Sequence, residues 1–329
     1  MSSNKKIAIS SVNYKTADLA LNSCALIVEK FKQDCVIFIV DNFSQDGSDS
    51  VIAKHIVESN WSSQVKLIAL PKNGGFAYGS NAGIREALKL DCDYIMLLNP
   101  DTEIREGAIA ALADFLDSHP EVGVAGSQLE NQEGGAENSA HYFPTPVGEL
   151  LDSARLGILT RLLSKYEVTP PRQNVAHQCD WVSGSSMMVR REVFESVGLL
   201  DESYFLYFEE VDFFYRVSKA GWQTWYVPDS KVMHIEGVST GIKSNKRRPS
   251  YWYESRRRFF IKHHGVIGLV LADVFWALGR ISYALRKMLG IGKKQKNHDP
   301  RWLAYDLLKG DIISILTGRA WRLEKEKII

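Results

Sequence analysis

Residues 7–42, IAISSVNYKTADLALNSCALIVEKFKQDCVIFIVDN, contain one complete β-α-β pattern. The apolar run Ile7 to Val12 precedes a helical stretch from Ala17 to Phe31, and a second run rich in β-branched residues, Val36 to Val40, follows it. Short apolar runs that alternate with a helical segment are typical of parallel strands joined by a crossover helix. This stretch therefore predicts the first unit of an α/β sheet.

The same alternation continues along the chain. Strand-like runs recur at Val65 to Leu70, Tyr94 to Leu98 and Val122 to Ala125, and a helical stretch from Phe76 to Leu90 separates the first two. We therefore expect a mostly parallel central sheet flanked by helices, with ligands bound at the carboxyl ends of its strands. Polar or glycine residues follow four of the strands: Asn13 and Tyr14, Asp41 and Asn42, Asn73 to Gly75, and Asn99 to Asp101.

Residues 130–178 contain Gly, Pro and polar clusters with weak periodicity, which predicts a variable excursion that shapes a substrate pocket. Regular patterns return afterwards as a strand from Trp181 to Val189 and a helix from about Glu209 to Ala220. Two further strand-like runs, Trp222 to Val227 and Val232 to Ile235, complete this part of the chain.

Charge divides the chain into an acidic body and a basic tail. Residues 1–234 carry a formal net charge of −11, whereas residues 235–329 carry +12. Such a tail suits nucleic acid, an anionic membrane surface or a phosphate-bearing ligand, and charge alone does not distinguish them. The four cysteines form no CxxC pair and the N-terminus lacks a signal-peptide pattern, so we expect a reducing, cytoplasmic location.

The segment LLNPDT, Leu97 to Thr102, sets two oxygen-bearing side chains directly after a buried strand. Asn99 and Asp101 are suited to a hard divalent ion that bridges a diphosphate. An Asp-Thr pair before a helical segment is equally suited to cap a helix. The motif alone leaves both interpretations open.

The segment NGGFAYGSNAG, Asn73 to Gly83, combines glycines with the start of a predicted helix. Glycines let the backbone approach a ligand closely, and helix N-termini offer N–H groups to negative oxygens. Glycines four residues apart do not form the G-x-G-x-x-G dinucleotide fingerprint, which removes the main support for a dehydrogenase. We expect donor contacts from Asn73, Gly75 and Asn81, although the glycine spacing fits close packing of a helix on the sheet equally well.

Four motifs in this order resemble family 2 glycosyltransferases, above all the rhamnosyltransferase-like group that builds bacterial cell-surface polysaccharide. They are VDNFSQDGS (40–48), NGGFAYGSNAG (73–83), LLNPDT (97–102) and WVSGSSMMVRREVFESVGLLDESYFLYFEEVDFFYRVSKAGW (181–222). The resemblance implies a nucleotide-diphospho-sugar transferase (GT-A) fold over residues 1–265. It also implies inverting transfer of a single sugar, with rhamnose the leading candidate, from a nucleotide-diphosphate donor to a saccharide or lipid-linked saccharide acceptor.

By this resemblance the first two strand ends hold the nucleobase. The residues concerned are Val12, Asn13 and Tyr14 on one strand and Asp41 and Asn42 on the next. A carboxylate or amide oxygen there pairs with the N3–H of uracil or thymine. A simple turn after the second strand is the alternative.

The resemblance also implies a divalent metal, Mn²⁺ or Mg²⁺, at the position of Asn99-Pro100-Asp101, where an amide replaces the family's first carboxylate. Asp101 is the expected direct ligand, with Asn99 beside the donor. His234, which follows a strand, matches a histidine that completes the metal site in related enzymes. Neutral imidazole suits Mn²⁺ better than Mg²⁺. A lone histidine after a strand is otherwise more often structural.

The segment FEEVDF, Phe208 to Phe213, matches the position of the family's catalytic base. Glu210 aligns with that base, and Glu209 and Asp212, in the same helical turn, are expected at the acceptor pocket. An acidic helix start stabilised by the helix dipole is the alternative. Upstream, Trp181, Ser183 and Gly184 are candidates for the acceptor pocket.

The basic tail has two parts. Residues 243–262 include Lys243, Lys246, Arg256 and Arg257, and we expect the last two to clamp the donor diphosphate unless they form a solvated or lipid-facing patch.

From Val266 to Leu289 the chain is apolar except for Asp273, Arg280 and Lys287, which lie seven residues apart on one helical stripe. With Lys293, Lys294 and Lys296 beyond it, this stretch predicts an amphipathic helix, within a region 266–329, that rests on the inner face of the cell membrane. Packing on the body or on a second subunit of an oligomer is the alternative.

Three other classes fit less well. A sugar-nucleotide pyrophosphorylase needs a glycine-rich basic loop after the first strand, and Val12 to Thr16 has no glycine. A processive synthase needs a Q-x-x-R-W motif, which is absent. A nucleic-acid-binding module leaves the acidic body and its polar strand ends unexplained, so we expect no nucleic acid partner.

Overall fold

The structure, a computed structural model, describes residues 6–31, 35–235, 247–291 and 299–326. Of the predicted basic tail, Lys243, Lys246, Lys293, Lys294 and Lys296 lie outside the described residues.

The described residues fall into two compact units. The first draws on Met1–His141, Pro171–Phe205 and Glu209–Gly241, and the second on Tyr142–Pro170, Leu206–Phe208 and Ile242–Ile329. A domain boundary after residue 265 stays a prediction.

All described strands belong to the first unit. They are β1 (Ile7–Asn13), β2 (Cys35–Asp41), β3 (Val65–Ala69), β4 (Tyr94–Leu98), β5 (Thr102–Ile104), β6 (Val122–Glu130), β7 (Ala140–His141), β8 (His177–Cys179), β9 (Trp181–Val182), β10 (Ser186–Arg190) and β11 (Gln223–His234).

The described helices divide between the units. They are α1 (Ala17–Phe31), α2 (Ser48–Glu58), α3 (Phe76–Leu88), α4 (Ala108–Ser118), α5 (Pro146–Ala154), α6 (Gly157–Leu162), α7 (Arg191–Val197), α8 (Glu209–Lys219), α9 (Ser250–Met288), α10 (Leu303–Leu316) and α11 (Arg319–Glu326). The second unit holds α5, α6 and α9 to α11.

Nine of the described strands form one mixed sheet in the order β3-β2-β1-β4-β10-β6-β11-β5, with β8 paired to β11. Strands β1 to β4 are parallel, as the opening β-α-β pattern predicts. The sheet is less parallel than expected because β10 runs antiparallel between β4 and β6, and β5 and β8 run antiparallel to β11. The carboxyl ends of β1, β2 and β4 share one edge.

The hydrophobic core of the first unit lies between the central sheet and the helices that cover it. Strands β1, β2 and β4 are buried along almost their whole length, which is typical of parallel strands covered on both faces. Their side chains, such as Ile9, Ile39 and Met96, cluster with Ile27 of α1 and Leu112 of α4. This packing fixes the strand ends that carry the predicted site.

Three predicted strands have other bounds in the structure. The run Trp181 to Val189 is divided into β9 and β10, so that Ser183 and Gly184 lie in a turn. The two runs after residue 222 form the single strand β11, with a register irregularity between Val227 and Lys231. The predicted excursion contains helix α5, which packs on α9 in the second unit.

Helix α9 begins well before the predicted amphipathic stretch and is interrupted at Gly265, where φ is 74°. The stripe that carries Asp273 and Arg280 faces partners within the second unit, and binding of this helix to a membrane surface stays a prediction. Asp273 is buried and pairs with Arg256 at 3.0 Å, and Arg280 pairs with Asp299. Ion-pair partners within the second unit therefore hold these two charges, whereas Lys287 is exposed.

Candidate active site

The ends of β1 and β2 are joined by a buried hydrogen-bond network. Register sets Asn13 opposite Asp41, and Asn13 Nδ2 donates to Asp41 Oδ1 at 2.7 Å. The Ser44 hydroxyl donates to the same carboxylate oxygen, and the Ser44 main-chain N–H donates to Oδ2. Asn13 Oδ1 accepts from the Thr16 main-chain N–H. The network holds the Asp41 carboxylate in one orientation, while Tyr14 beside it is half-buried.

Asn42 is buried next to this network. Its Nδ2 donates to Asn73 Oδ1 at 3.1 Å and to the Gly75 carbonyl at 3.0 Å. Its Oδ1 is buried and has no hydrogen-bond partner among the described residues. A buried acceptor without a donor is costly unless a ligand satisfies it. The amide oxygen of Asn42 is therefore an available acceptor, as the predicted pairing with a nucleobase N–H requires.

The glycines of the segment 73–83 have two distinct roles. Gly75 has φ of 89°, and a Cβ on it would lie 1.9 Å from the carbonyl oxygen of Phe205, which accepts a hydrogen bond from the Phe76 N–H. Gly79 and Gly83 instead lie against Val12 and Ser10, so their spacing reflects close packing of α3 on β1. Of these three glycines, only Gly75 is needed for its positive φ, and its carbonyl accepts the hydrogen bond from Asn42 at the end of β2.

Asn99, Asp101 and His234 meet where β4 ends. His234 is the last residue of β11 and pairs with Thr102 of β5, which brings its Nε2 within 3.3 Å of Asp101 Oδ1. Asn99 Nδ2 lies 3.5 Å from the same ring nitrogen. Asn99 Oδ1 and His234 Nδ1 are buried and lack hydrogen-bond partners in the described part of the chain. The two side chains of the LLNPDT segment and the distant His234, all three predicted for the donor and metal site, therefore lie together.

Glu209 and Glu210 begin helix α8 as adjacent carboxyl groups. The structure sets Gly184 beside Glu210, since a Cβ on Gly184 would lie 3.6 Å from Glu210 Cβ. The next residue, Ser185, accepts a hydrogen bond from the Asn99 main-chain N–H at 2.9 Å. The turn between β9 and β10 therefore links the end of β4 to the first turn of α8.

Burial raises the pKa of the Glu210 carboxyl, and main-chain hydrogen bonds at Glu210 and Val211 oppose the shift. Burial also raises the pKa of Glu209 well above its usual value, and the neighbouring Glu210 charge adds to this rise. The Oε2 atoms of both residues have no hydrogen-bond partner within the described ranges. A buried carboxyl group with a raised pKa accepts a proton readily.

Asn81 has a structural role in place of the predicted donor contact. Its Nδ2 donates to the Leu200 carbonyl and to Glu202, and its Oδ1 accepts from the Leu200 N–H at 3.0 Å. The side chain is 1% exposed, so these bonds occupy its amide group. Asn81 therefore ties α3 to the chain that precedes α8.

Asp212 is likewise structural and does not line the predicted acceptor pocket. It is fully buried and pairs with Arg216 at 3.0 Å, one helical turn later. Arg216 also donates to the carbonyls of Val197 and Leu199. The pair anchors the chain after α7 to α8.

Two other pocket candidates lie in the β7 and β9 region. The Trp181 ring stacks on His141 with ring centres 4.2 Å apart. The Ser183 hydroxyl lies 2.8 Å from that of Ser185, and its main-chain N–H donates to the Ser139 carbonyl. Both side chains are half-buried, and their role in acceptor binding stays a prediction.

The predicted phosphate ligands Arg256 and Arg257 belong to the second unit. Arg256 is 1% exposed and pairs with Glu149, Asp273 and Asp311 at 3.0 to 3.2 Å. Three carboxylates balance its charge, so the structure gives Arg256 a structural role in place of a phosphate clamp. Arg257 pairs with Asp311 and is only partly buried, and its role as a phosphate ligand stays a prediction.

Sequence reasoning missed Ser44 and Phe205. Ser44 stands three residues after Asp41, and an Asp followed by Ser at this distance is a turn signal that makes it findable. Phe205 acts through its main-chain carbonyl, and no residue type marks that role.

Comparison with known proteins identifies the family of this site. A sequence profile described as "Glycosyl transferase family 2" matches residues 7–198. The chain is 28% identical over 267 residues to an N-acetylglucosaminyl-diphospho-decaprenol L-rhamnosyltransferase of Mycobacterium tuberculosis, covering 77% of this chain and 82% of the relative. It is 27% identical to a dTDP-rhamnosyl transferase of Shigella flexneri, covering 78% and 81%.

Solved structures show the same fold. GalNAc-T7 with UDP, GalNAc and Mn²⁺ matches with a TM-score of 0.55 and 14% identity, over 93% of this chain and 57% of the longer protein. A mannosyltransferase of Pyrobaculum calidifontis with GDP-Man and Mn²⁺ matches with a TM-score of 0.53 and 13% identity, over 98% of this chain and 84% of the other. These likenesses confirm the predicted GT-A fold.

The predicted resemblance to rhamnosyltransferases is also confirmed. Because the family profile covers more than half of the sequence, from β1 to the end of α7, this chain belongs to glycosyl transferase family 2.

Proposed function

We propose that this enzyme transfers one rhamnosyl group from a nucleotide-diphosphate donor to a hydroxyl of a lipid-linked saccharide, with inversion at the anomeric carbon. The observation that carries the proposal is Glu210, a buried carboxyl group with an unpartnered Oε2 that lies beside Gly184 in a strand-end site. The names of the two rhamnosyltransferase relatives support rhamnose as the sugar. The name of the mycobacterial relative supports a diphospho-lipid acceptor.

The donor nucleotide binds at the ends of β1 and β2 in this proposal. Asp41 is held by Asn13 and Ser44, and Asn42 contributes its buried, unpartnered Oδ1. Groups fixed in this way recognise a base without reorganising. Thymine and uracil present the N3–H donor that an unpartnered amide oxygen needs.

A single carboxylate is sufficient for the inverting reaction. Glu210 takes the proton of the acceptor hydroxyl as the oxygen attacks the anomeric carbon, and the bond from that carbon to the phosphate oxygen breaks. The leaving nucleotide diphosphate keeps the electron pair of the broken bond. The raised pKa of Glu210 makes it a stronger base than an exposed glutamate.

Asp101 and His234 would hold a divalent metal, with Asn99 Oδ1 beside them. Within the described residues no group of three His, Cys, Asp or Glu side chains could hold a metal ion, and oxygens of the donor diphosphate would be further ligands beside these two residues. A carboxylate, an imidazole and phosphate oxygens suit Mn²⁺, and the orphaned Asn99 Oδ1 fits the same role. When bound, the ion supplies positive charge that stabilises the leaving diphosphate.

A hydrolysis screen tests the reaction class. Purified full-length protein is incubated with a panel of nucleotide-diphosphate sugars, with Mn²⁺, with Mg²⁺ or with chelator, and the released nucleotide diphosphate is measured. We expect slow hydrolysis of one rhamnosyl donor that needs the metal. Absence of hydrolysis and of metal-dependent nucleotide binding across the panel would overturn the proposal.

We also propose that the second unit binds the inner face of the cell membrane, through the exposed side of α9. The residues on that side follow one another at intervals of three and four, and each is at least 43% exposed: Ile267, Leu271, Val274, Leu278, Ile281, Leu285 and Met288. None carries a charge. An apolar helix face of this length is a surface that water solvates poorly.

Composition alone also permits a deeper insertion, because α9 is long and apolar enough to cross a membrane. Surface binding is the better proposal, since Asp273 and Arg280 on the opposite side are held by ion pairs within the second unit. Docking on a second copy of the chain is the competing outcome.

A further inference from the structure

A cavity of about 480 Å³ lies within the second unit, between the start of α9, the middle of α10 and the first residue of α11. Four arginines line it, against two acidic residues, Glu254 and Asp306. The arginines are Arg247, Arg248, Arg257 and Arg319. This volume is in the usual range for a small-molecule site, and the excess of guanidinium groups favours an anion.

Two of the arginines are already paired. Arg247 forms a two-pronged ion pair with Asp306, and Arg257 Nε donates to Asp311. Arg248 and Arg319 form no ion pair with any residue that the structure describes. Arg248 stacks over Trp252, with its guanidinium carbon 4.0 Å from the ring centre, and its buried Nε has no hydrogen-bond partner in the described ranges.

Tyr253 adds a neutral donor to this cavity. Its side chain is 5% exposed, and its hydroxyl has no hydrogen-bond partner in the part of the chain that the structure describes. A buried hydroxyl is normally paired, so this one is available to donate to a ligand oxygen. Arg248 and Tyr253 together offer unsatisfied donors in one cavity.

Gly310 makes room for a further donor. It lies inside helix α10, where glycine costs about 1 kcal/mol relative to alanine. A Cβ at this position would lie 2.5 Å from Arg257 Nη2. The glycine therefore admits the second nitrogen of Arg257 to the cavity wall while Nε holds Asp311.

Exposed apolar residues lie on the two helices, α10 and α11, that contribute to the lining of the charged cavity. Ile313 lines it and is 44% exposed, and Leu316 and Trp321 on the same two helices, α10 and α11, are 81% and 47% exposed. A water-soluble phosphate ester makes no use of such an apolar margin. An amphiphile with a phosphate head and a hydrocarbon chain satisfies both the arginines and the apolar side chains.

We propose that this cavity binds the diphosphate group of the lipid-linked acceptor. The proposal rests on the proposed function, because the lipid-linked acceptor is part of it. Arg248, Arg319 and Tyr253 donate to the phosphate oxygens, and the hydrocarbon chain leaves over Ile313, Leu316 and Trp321.

Vesicle binding of the full-length protein tests the site. Phosphatidylcholine vesicles carry either a polyprenyl diphosphate or phosphatidylglycerol, at equal surface charge and physiological salt. We expect tighter binding to the diphosphate lipid. Arg319→Gln should weaken that binding about tenfold or more, since a charge-assisted hydrogen bond contributes at least this much.

Arg322→Gln is the matched control, because Arg322 is exposed on the same helix and does not line the cavity. The Arg322→Gln variant loses the same charge as Arg319→Gln but should still bind the diphosphate lipid more tightly than phosphatidylglycerol. Tyr253→Phe removes only a hydroxyl without a described partner, so it should weaken binding and leave the free energy of unfolding unchanged.

Three results overturn the proposal. One is an equal effect of Arg319→Gln and Arg322→Gln. Another is equal binding to phosphatidylglycerol and to the diphosphate lipid. The third is displacement from the vesicles by soluble nucleotide diphosphate in an Arg319-dependent way, which would make the cavity a donor site. Donor hydrolysis and metal-dependent nucleotide binding are measured in parallel, because the absence of both in the wild type contradicts the proposed function and leaves the lipid assay interpretable.

Discussion

The Nε2 atom of His234 lies 3.3 Å from Oδ1 of Asp101, although the two residues are 133 positions apart in the chain. The antiparallel pairing of β5 with β11 produces this proximity, since it sets His234 opposite Thr102. Imidazole and carboxylate groups at this distance are positioned to share one cation.

Asp101→Ala should therefore abolish the Mn²⁺-dependent part of nucleotide-diphosphate binding, and His234→Ala should weaken it. Titration calorimetry with and without Mn²⁺ measures both effects. Glu103→Ala, on the same strand β5, is the control and should bind as the wild type does. Unchanged Mn²⁺ dependence in Asp101→Ala would remove Asp101 from the metal site.

Glu210→Gln should spare donor binding and reduce the transfer rate by about 10² to 10⁴, the usual contribution of general base catalysis. The amide keeps the size of the side chain but does not take a proton. Glu209→Gln makes the same change one residue earlier and should transfer at a near wild-type rate. Single-turnover transfer separates this step from product release. A fast Glu210→Gln beside an inactive Glu209→Gln would reassign the base.

The pH dependence of transfer should follow the pKa of Glu210. Because burial raises this pKa and the base must be deprotonated, the rate should increase with pH through a value above the ordinary 4.5 of a glutamate. The acid limb of kcat/KM reports this pKa for the unliganded enzyme. A limb close to pH 4.5, or one that persists in Glu210→Gln, would contradict the assignment.

Arg256→Met should lower the free energy of unfolding by about 3 to 5 kcal/mol, the usual effect of removing one partner of a buried ion pair. The change leaves the carboxylates of Glu149, Asp273 and Asp311 without their shared cation. Urea denaturation measures the loss. Arg161→Met, at an exposed position of α6, is the control. A variant of wild-type stability with a raised donor KM would restore the phosphate-clamp prediction.

Leu278→Glu should reduce binding to anionic vesicles about tenfold or more, because a charge on a lipid-facing helix costs a few kcal/mol. Stability should change little, since the side chain is 52% exposed. Val57→Glu is the control, because it introduces the same charge at an exposed position of α2 in the first unit. It should not alter sedimentation with vesicles. If Leu278→Glu instead converts a dimer to a monomer and leaves vesicle binding intact, the face is a subunit interface.

Sequence patterns predicted correctly those helices and strands that depend on a continuous local run of apolar residues. The bounds of α1 and β4 are those expected, because their apolar periodicity is uninterrupted. The insertion of β10 between β4 and β6 was not predictable, since strand order depends on pairings between distant segments.

The same limit applies to side chains. The sequence placed Asp101 and His234 together only through resemblance to a family. It misassigned Asn81, whose partner Leu200 is 119 residues away. It also left open what Asp273 faces, because periodicity defines a stripe on a helix and does not say which stripe meets the protein.

The contact between Gly75 and Phe205 has a consequence for how the site tolerates sequence change. The Phe205 carbonyl packs against Gly75 and accepts a hydrogen bond from the N–H of the next residue, Phe76. The connection therefore uses main-chain atoms on both sides. The bond at position 205 uses the carbonyl that every residue type has, whereas even an alanine at position 75 would collide with that oxygen. The attachment of the chain that leads into α8 thus depends on the absence of a side chain at position 75 and on a main-chain atom at position 205, so of the two positions only 75 restricts the residue type through this contact.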